Sequence, residues 1–146
     1  MSAENQPIQN SGNIVETIVI AEDSIPNQRI LQHLLLKLGY EVIATNNGAL
    51  AWAALNSPDT KNVVCVISDL MMPEENGLHL LKRVRQSENY KTTPFVFVTA
   101  VADKDLIKEA KDLGINGYIL KPISFQKVEA KLKELFPGRK FPKVAA

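Results

Sequence analysis

Cysteine is almost missing from this chain, with Cys65 the single example among 146 residues. One thiol can neither close an internal disulfide nor furnish a multi-cysteine zinc site. It lies inside the apolar run Val63-Val64-Cys65-Val66-Ile67, which reads as a buried strand with an inert thiol and suits a reducing cytosol. An excess of either charge is missing too: Lys and Arg number 17 against 16 Asp and Glu. That balance removes the basic field on which sequence-independent binding to nucleic acid or anionic membrane depends, and it directs attention to protein partners. Nor does the polar stretch 1–16, rich in Asn, Gln and Ser, have the basic start or continuous apolar segment of a signal peptide or membrane span. It reads as a flexible N-terminal tail. Residues 137–146, opened by the helix-stopping pair Pro137-Gly138, read as a short C-terminal tail. No attached output module is expected after Phe136, so the protein is expected to act through another protein, and its cysteine usage points to the cytoplasm.

What is present is a chain 45% hydrophobic, enough for one domain over 17–136 with one sizeable core. Short β-branched runs alternate with stretches of helical periodicity, the pattern of a parallel sheet covered on both faces by helices. Strands are predicted at Thr17–Ala21, Glu41–Thr45, Val63–Ser68, Phe95–Thr99 and Gly117–Leu120. Several are apolar at consecutive positions, as double-sided burial requires. The first helix opens with Ser24 as its cap and Pro26 in its first turn, sets Ile30, Leu31, Leu34, Leu35 and Leu38 on one face, and ends at Gly39. Further helices are predicted at Gly48–Asn56, Gly77–Ser87, Lys104–Leu113 and Phe125–Phe136.

Polar residues stand where the apolar runs stop: Glu22 and Asp23 after the first strand, Asp69 after the third, Thr99 at the end of the fourth and Lys121 after the fifth. In an open parallel sheet ligands bind outside the carboxyl ends of the strands, so all five should meet there. Three crowded carboxylates repel one another and need a cation. Oxygen ligands from carboxylates and water suit Mg²⁺, with Mn²⁺ as a substitute. Lys121 adds a fixed positive charge and Thr99 a hydroxyl donor, so metal, cation and donor surround one potential nucleophile, Asp69. This is a constellation for phosphoryl transfer to a carboxylate.

Taken in order, Glu22-Asp23, Asp69-Leu-Met-Met-Pro-Glu-Glu-Asn-Gly77, Val98-Thr99-Ala100 and Lys121-Pro122 resemble a response-regulator receiver domain, with 30 residues from Asp69 to Thr99 and 22 from Thr99 to Lys121. Each fragment is weak alone; their order and spacing make the set specific. The resemblance implies a doubly wound, flavodoxin-like (βα)5 fold with strand order 2-1-3-4-5, of the kind seen in single-domain chemotaxis regulators. It implies that Asp69 accepts a phosphoryl group from a phosphohistidine on a histidine kinase or histidine phosphotransfer protein. It implies that Mg²⁺ is held by Glu22, Asp23, Asp69 and the backbone carbonyl of Met71, and that Lys121-Pro122 is a cis peptide aiming the lysine inward. Thr99 and Tyr118 would be switch residues, Ala100 would leave room for the phosphoryl group, and the output surface would be the fourth helix, fifth strand and fifth helix. Such a protein is no enzyme beyond its own phosphoryl transfer and autodephosphorylation. Glu22 departs from the two aspartates many members carry, and its extra methylene bears on whether it meets the metal directly or through water. A Mg²⁺-dependent phosphohydrolase would need a second acid/base two residues after its nucleophile, where this chain has Met71. A receiver-like module that is never phosphorylated would be expected to lack Asp69, Thr99 or Lys121. Pro73 and Gly77 read as shapers of the turn after Asp69, His33 and His79 as surface histidines, and Trp52 as packing.

Overall fold

The computed structural model describes residues 14–72, 76–100 and 103–142. Five strands alternate with five helices: β1 (Thr17–Ala21), α1 (Ile25–Lys37), β2 (Glu41–Thr45), α2 (Gly48–Leu55), β3 (Val63–Ser68), α3 (Gly77–Gln86), β4 (Phe95–Thr99), α4 (Lys104–Asp112), β5 (Gly117–Leu120) and α5 (Phe125–Leu135). The strands pair in parallel in the order β2-β1-β3-β4-β5. All five strands occupy the predicted spans. The helices α2 to α5 each stop one residue short of the predicted end, because the last residue is the C-cap, whose amide still donates back into the helix but which is only half in it.

The period-2 alternation of a strand divides the core into two layers. On β1, Val19 and Ala21 face one layer and Ile18 and Ile20 the other; on β4, Phe95 and Phe97 oppose Val96 and Val98 in the same way. The first layer is closed by α2, α3 and α4 through Ala51, Leu55, Leu80, Leu81, Val84 and Ala110. The second is closed by α1 and α5 through Leu31, Leu35, Leu38, Val128 and Leu132. A fully buried Leu or Phe contributes about 1.5–3 kcal/mol, so these two layers are what holds the sheet.

The first helix needs a correction to its predicted face. Leu31, Leu35 and Leu38 are buried and Leu34 packs at their margin, but Ile30 is 45% exposed. The buried stripe follows i, i+4, i+7 from Leu31, and Ile30, about 100° around the axis from Leu31, lies on the shoulder of that stripe. Ser24 caps α1 as expected, its hydroxyl accepting from the Asn27 amide, with Pro26 in the first turn. None of the described helices is long and apolar enough to cross a membrane.

Packing continues past the outermost elements. The Arg139 guanidinium forms an ion pair with Glu16, donates to the carbonyls of Leu38 and Gly39, and stacks 4.0 Å from the Tyr40 ring centroid and 4.7 Å from that of Phe141. One cation thereby joins the two ends of the described chain beneath the amino-terminal edge of the sheet.

Candidate phosphoryl-acceptor site

Strand register brings the polar residues together. Ala21 pairs with Ser68, so the next residues along, Glu22 and Asp69, emerge side by side, and the Asp69 amide donates to the Ala21 carbonyl at 2.8 Å. The Glu22 amide donates to Thr45 O at 3.0 Å, and the Lys121 amide to Thr99 O at 2.9 Å. Each bond extends the parallel ladder one step past a strand end, and all lie on one edge. Strand order reverses about β1, since β2 lies on one side and β3 on the other. A crevice at such a reversal is where this architecture binds ligands.

Glu22, Asp23 and Asp69 each offer a carboxylate oxygen within 4.8 Å of the others. Glu22 and Asp69 are buried while Asp23 is exposed, so the cluster is open on Asp23's side. The Lys121 ammonium bridges the two buried acids, 2.9 Å from Asp69 Oδ2 and 2.9 Å from Glu22 Oε1. Its contact with Asp69 is an aligned hydrogen bond. Its contact with Glu22 is one of charge alone, and Glu22 Oε1 is left buried with no aligned donor. The other Glu22 oxygen accepts from the Ser24 amide at 3.1 Å. Burial raises the Glu22 carboxyl above its ordinary value, against the opposing pull of Lys121 and the Ser24 amide. Burial would lower Lys121, but its hydrogen bond to Asp69 and its close charge contact with Glu22 outweigh it and hold the ammonium above its usual value.

Asp69 is held on its own loop as well. Its Oδ1 accepts from the Met71 amide at 3.2 Å, and its carbonyl accepts from the Ser68 hydroxyl at 2.8 Å. Gly77, the first residue of α3, closes the loop by donating to Leu70 O at 2.9 Å. A Cβ at Gly77 would stand 2.4 Å from the Phe97 ring and 2.5 Å from the Asp69 carbonyl. Gly77 is therefore a close-approach glycine beneath Asp69, a role stronger than the turn-shaping one its sequence position suggests, and only tertiary contact exposes it.

The remaining predicted residues distribute as follows. Thr99 is 1% exposed at the end of β4, between the strands that carry Asp69 and Lys121. Ala100 and Pro122 are exposed at the same edge, and Lys121-Pro122 is cis. Tyr118 lies on edge strand β5 with its side chain outward, 37% exposed, beside a groove that Lys111, Lys127 and Lys131 also line. His33 and His79 are exposed, Trp52 is half-buried against the first layer under Arg83, and Cys65 is fully buried, with its thiol pushed up to about 12 by burial. Pro73 lies outside the described residues.

The donor set matches Mg²⁺ chemistry on one observation of this fold in particular: a buried carboxylate oxygen without an aligned donor, facing two further carboxylates. Residues 18–133 match the response regulator receiver domain family. The chain belongs to this family. Among similar proteins, the chemotaxis protein CheY1 of Helicobacter pylori is 36% identical over 118 residues, covering 80% of this chain and 93% of its own length. Chemotaxis protein CheY of Pseudomonas aeruginosa is 36% identical over 120 residues, covering 82% and 94%. In three dimensions the chain is similar to Vibrio cholerae chemotaxis protein CheY4, with a TM-score of 0.75 at 28% identity over 83% of this chain and 98% of that one. Receiver domains accept a phosphoryl group and switch partner binding, which is the general function this chain shares. They work with histidine kinases and downstream targets, and the Glu22, Asp23 and Asp69 cluster is consistent with their use of Mg²⁺.

Proposed function

We propose that Asp69 is the phosphoacceptor of a phosphorelay receiver that acts by changing partners, not by turning over a metabolite. The observation that carries this reading is the Lys121 ammonium 2.9 Å from Asp69 Oδ2, inside a cluster of three carboxylates. A lone aspartate after a strand is a turn residue; one that shares a half-buried cation and two acidic neighbours is built to carry changing charge. In the reaction, an Asp69 oxygen forms a bond to phosphorus as the P–N bond of a phosphohistidine breaks, and the freed imidazole takes up a proton. Glu22, Asp23, Asp69 and the Met71 carbonyl would hold Mg²⁺, which neutralises the oxygens of the transferred group. Lys121 steadies the charge that builds on those oxygens, and the Thr99 hydroxyl donates to one of them.

Phosphorylation replaces the single carboxylate charge of Asp69 with a group carrying about 1.5 to 2 negative charges and new acceptor oxygens, and drawing Thr99 and Lys121 toward them remodels the ends of β4 and β5. Tyr118, outward here and one strand from Thr99, is the switch that passes this to the surface, while Ala100 leaves space for the phosphoryl group and Pro122 orients Lys121. Lys111, Lys127 and Lys131, the last paired with Glu134, leave a net positive rim over an apolar floor of Tyr118 and Leu120, and make the face of α4, β5 and α5 suited to an acidic partner segment. The phosphodonor would be a histidine kinase or histidine phosphotransfer protein, and the setting cytoplasmic. The test is incubation with a small phosphodonor and Mg²⁺. An acid-stable, hydroxylamine-labile adduct is expected, absent in Asp69→Asn; an adduct that survives Asp69→Asn would refute the assignment.

A further inference from the structure

The Glu22-Asp23 pair hangs on a side chain outside the carboxylate cluster. Gln28, half-buried in the first turn of α1, directs its side-chain amide at three oxygens at once: Glu22 O at 3.2 Å, Thr45 O at 2.9 Å and Asn46 Oδ1 at 2.8 Å. Thr45 O also accepts the Glu22 amide at 3.0 Å. The backbone of Glu22 is thus tied at both its N–H and its C=O to one junction, where the end of β1, the end of β2 and the start of α1 meet. Three oxygens converge there, and the Gln28 NH2, its two hydrogens shared among them, is the side-chain donor that makes their convergence favourable. Taking it away leaves negative ends facing one another in a partly buried space.

We propose that Gln28 is a positioning residue that sets Mg²⁺ affinity by fixing the backbone from which Glu22 and Asp23 reach the metal. This rests on the reading of Glu22, Asp23 and Asp69 as the metal site. Mg²⁺ holds its ligands at about 2.0–2.1 Å in near-octahedral geometry and accepts little distortion. A small drift of the Glu22-Asp23 turn relative to Asp69 therefore costs affinity. The Gln28 amide donates to two backbone carbonyls and the Asn46 side chain, not to a carboxylate of the cluster, so the phosphoryl-transfer step itself should not depend on it once metal is bound.

The experiment titrates MgCl2 calorimetrically into the full, unphosphorylated chain. Gln28→Met keeps side-chain length and helix propensity while deleting the donor; Gln28→Ala relieves any crowding the thioether introduces. Both are expected to raise the Mg²⁺ Kd about tenfold, at the low end of the 10–100-fold that outer-shell changes produce. Phosphorylation at saturating Mg²⁺ should proceed at the wild-type rate. Arg139→Ala, a loss of stability at the far edge of the sheet, should leave the Mg²⁺ Kd alone. A wild-type Kd in both Gln28 variants would overturn the proposal and spare the metal-site reading. Equal weakening in Arg139→Ala would also overturn it, by showing that affinity follows global stability. A wild-type protein that binds no Mg²⁺ would remove the metal-site reading and this inference together.

Discussion

Replacing Lys121 with Met puts the electrostatic design of the site to a quantitative test. The ammonium is 15% exposed and lies 2.9 Å from each of two carboxylates that are 8% and 1% exposed. Methionine keeps much of the stem's volume, so the change is chiefly one of charge. Two like charges 4.8 Å apart, the outer limit of the acid cluster, repel by about 3.5 kcal/mol at an effective dielectric constant near 20. Breaking a buried pair by removing one partner costs about 3–5 kcal/mol in measured cases. With the metal chelated at neutral pH, a loss of about 3 kcal/mol is therefore expected, read as a fall in the urea midpoint at unchanged m-value. Mg²⁺ should recover more stability in the variant than in the wild type, because it replaces the missing positive charge. The pH dependence has a definite sign. Burial already raises the Glu22 carboxyl, and losing the ammonium that opposes this lets the folded variant hold the Glu22 proton more tightly than the unfolded chain does, so acidification relieves the variant and the gap to wild type narrows as pH falls. Equal stability of variant and wild type in chelator, or a gap that widens on acidification, would refute the claim that Lys121 is the counter-ion of this cluster.

Gly77→Ala sets a methyl group against the Phe97 ring and the Asp69 carbonyl, and the strain of such overpacking, about 1–3 kcal/mol, should lower the melting temperature and slow adduct formation at Asp69 together. Arg139→Ala loses an ion pair, three carbonyl bonds and two ring contacts; a loss of about 1.5–3 kcal/mol in chemical denaturation is expected, with the Asp69 adduct forming normally. Burial pushes both the Cys65 thiol and the Tyr40 phenol up to about 12. The folded state therefore keeps protons that the unfolded chain gives up from about pH 8.5 to 10 upward, so stability should fall as pH rises from about 9 toward 12, with a shallower fall in Cys65→Ala. Cys65 should resist a thiol reagent at neutral pH until the protein unfolds, and rapid labelling of the native state would contradict its burial.

The sequence by itself determined the strands, the helices and the order of the site residues, because those are written in local patterns. A strand buried on both faces must be apolar at consecutive positions, and a helix must repeat its apolar residues every three to four, so β1 and β4 or α5 could be read directly. Glu22, Asp23, Asp69, Thr99 and Lys121 were legible because each follows or ends such a run. The tertiary structure alone decided which oxygen of Glu22 meets Lys121, that Gly77 lies against Asp69, and that Gln28 and Arg139 tie distant segments together. Those facts depend on distances between residues far apart along the chain: Gln28 lies 17 positions from Thr45, and Arg139 lies 123 from Glu16. No periodicity records such separations; only the parallel register of the sheet and the packing of its two layers bring the partners within reach.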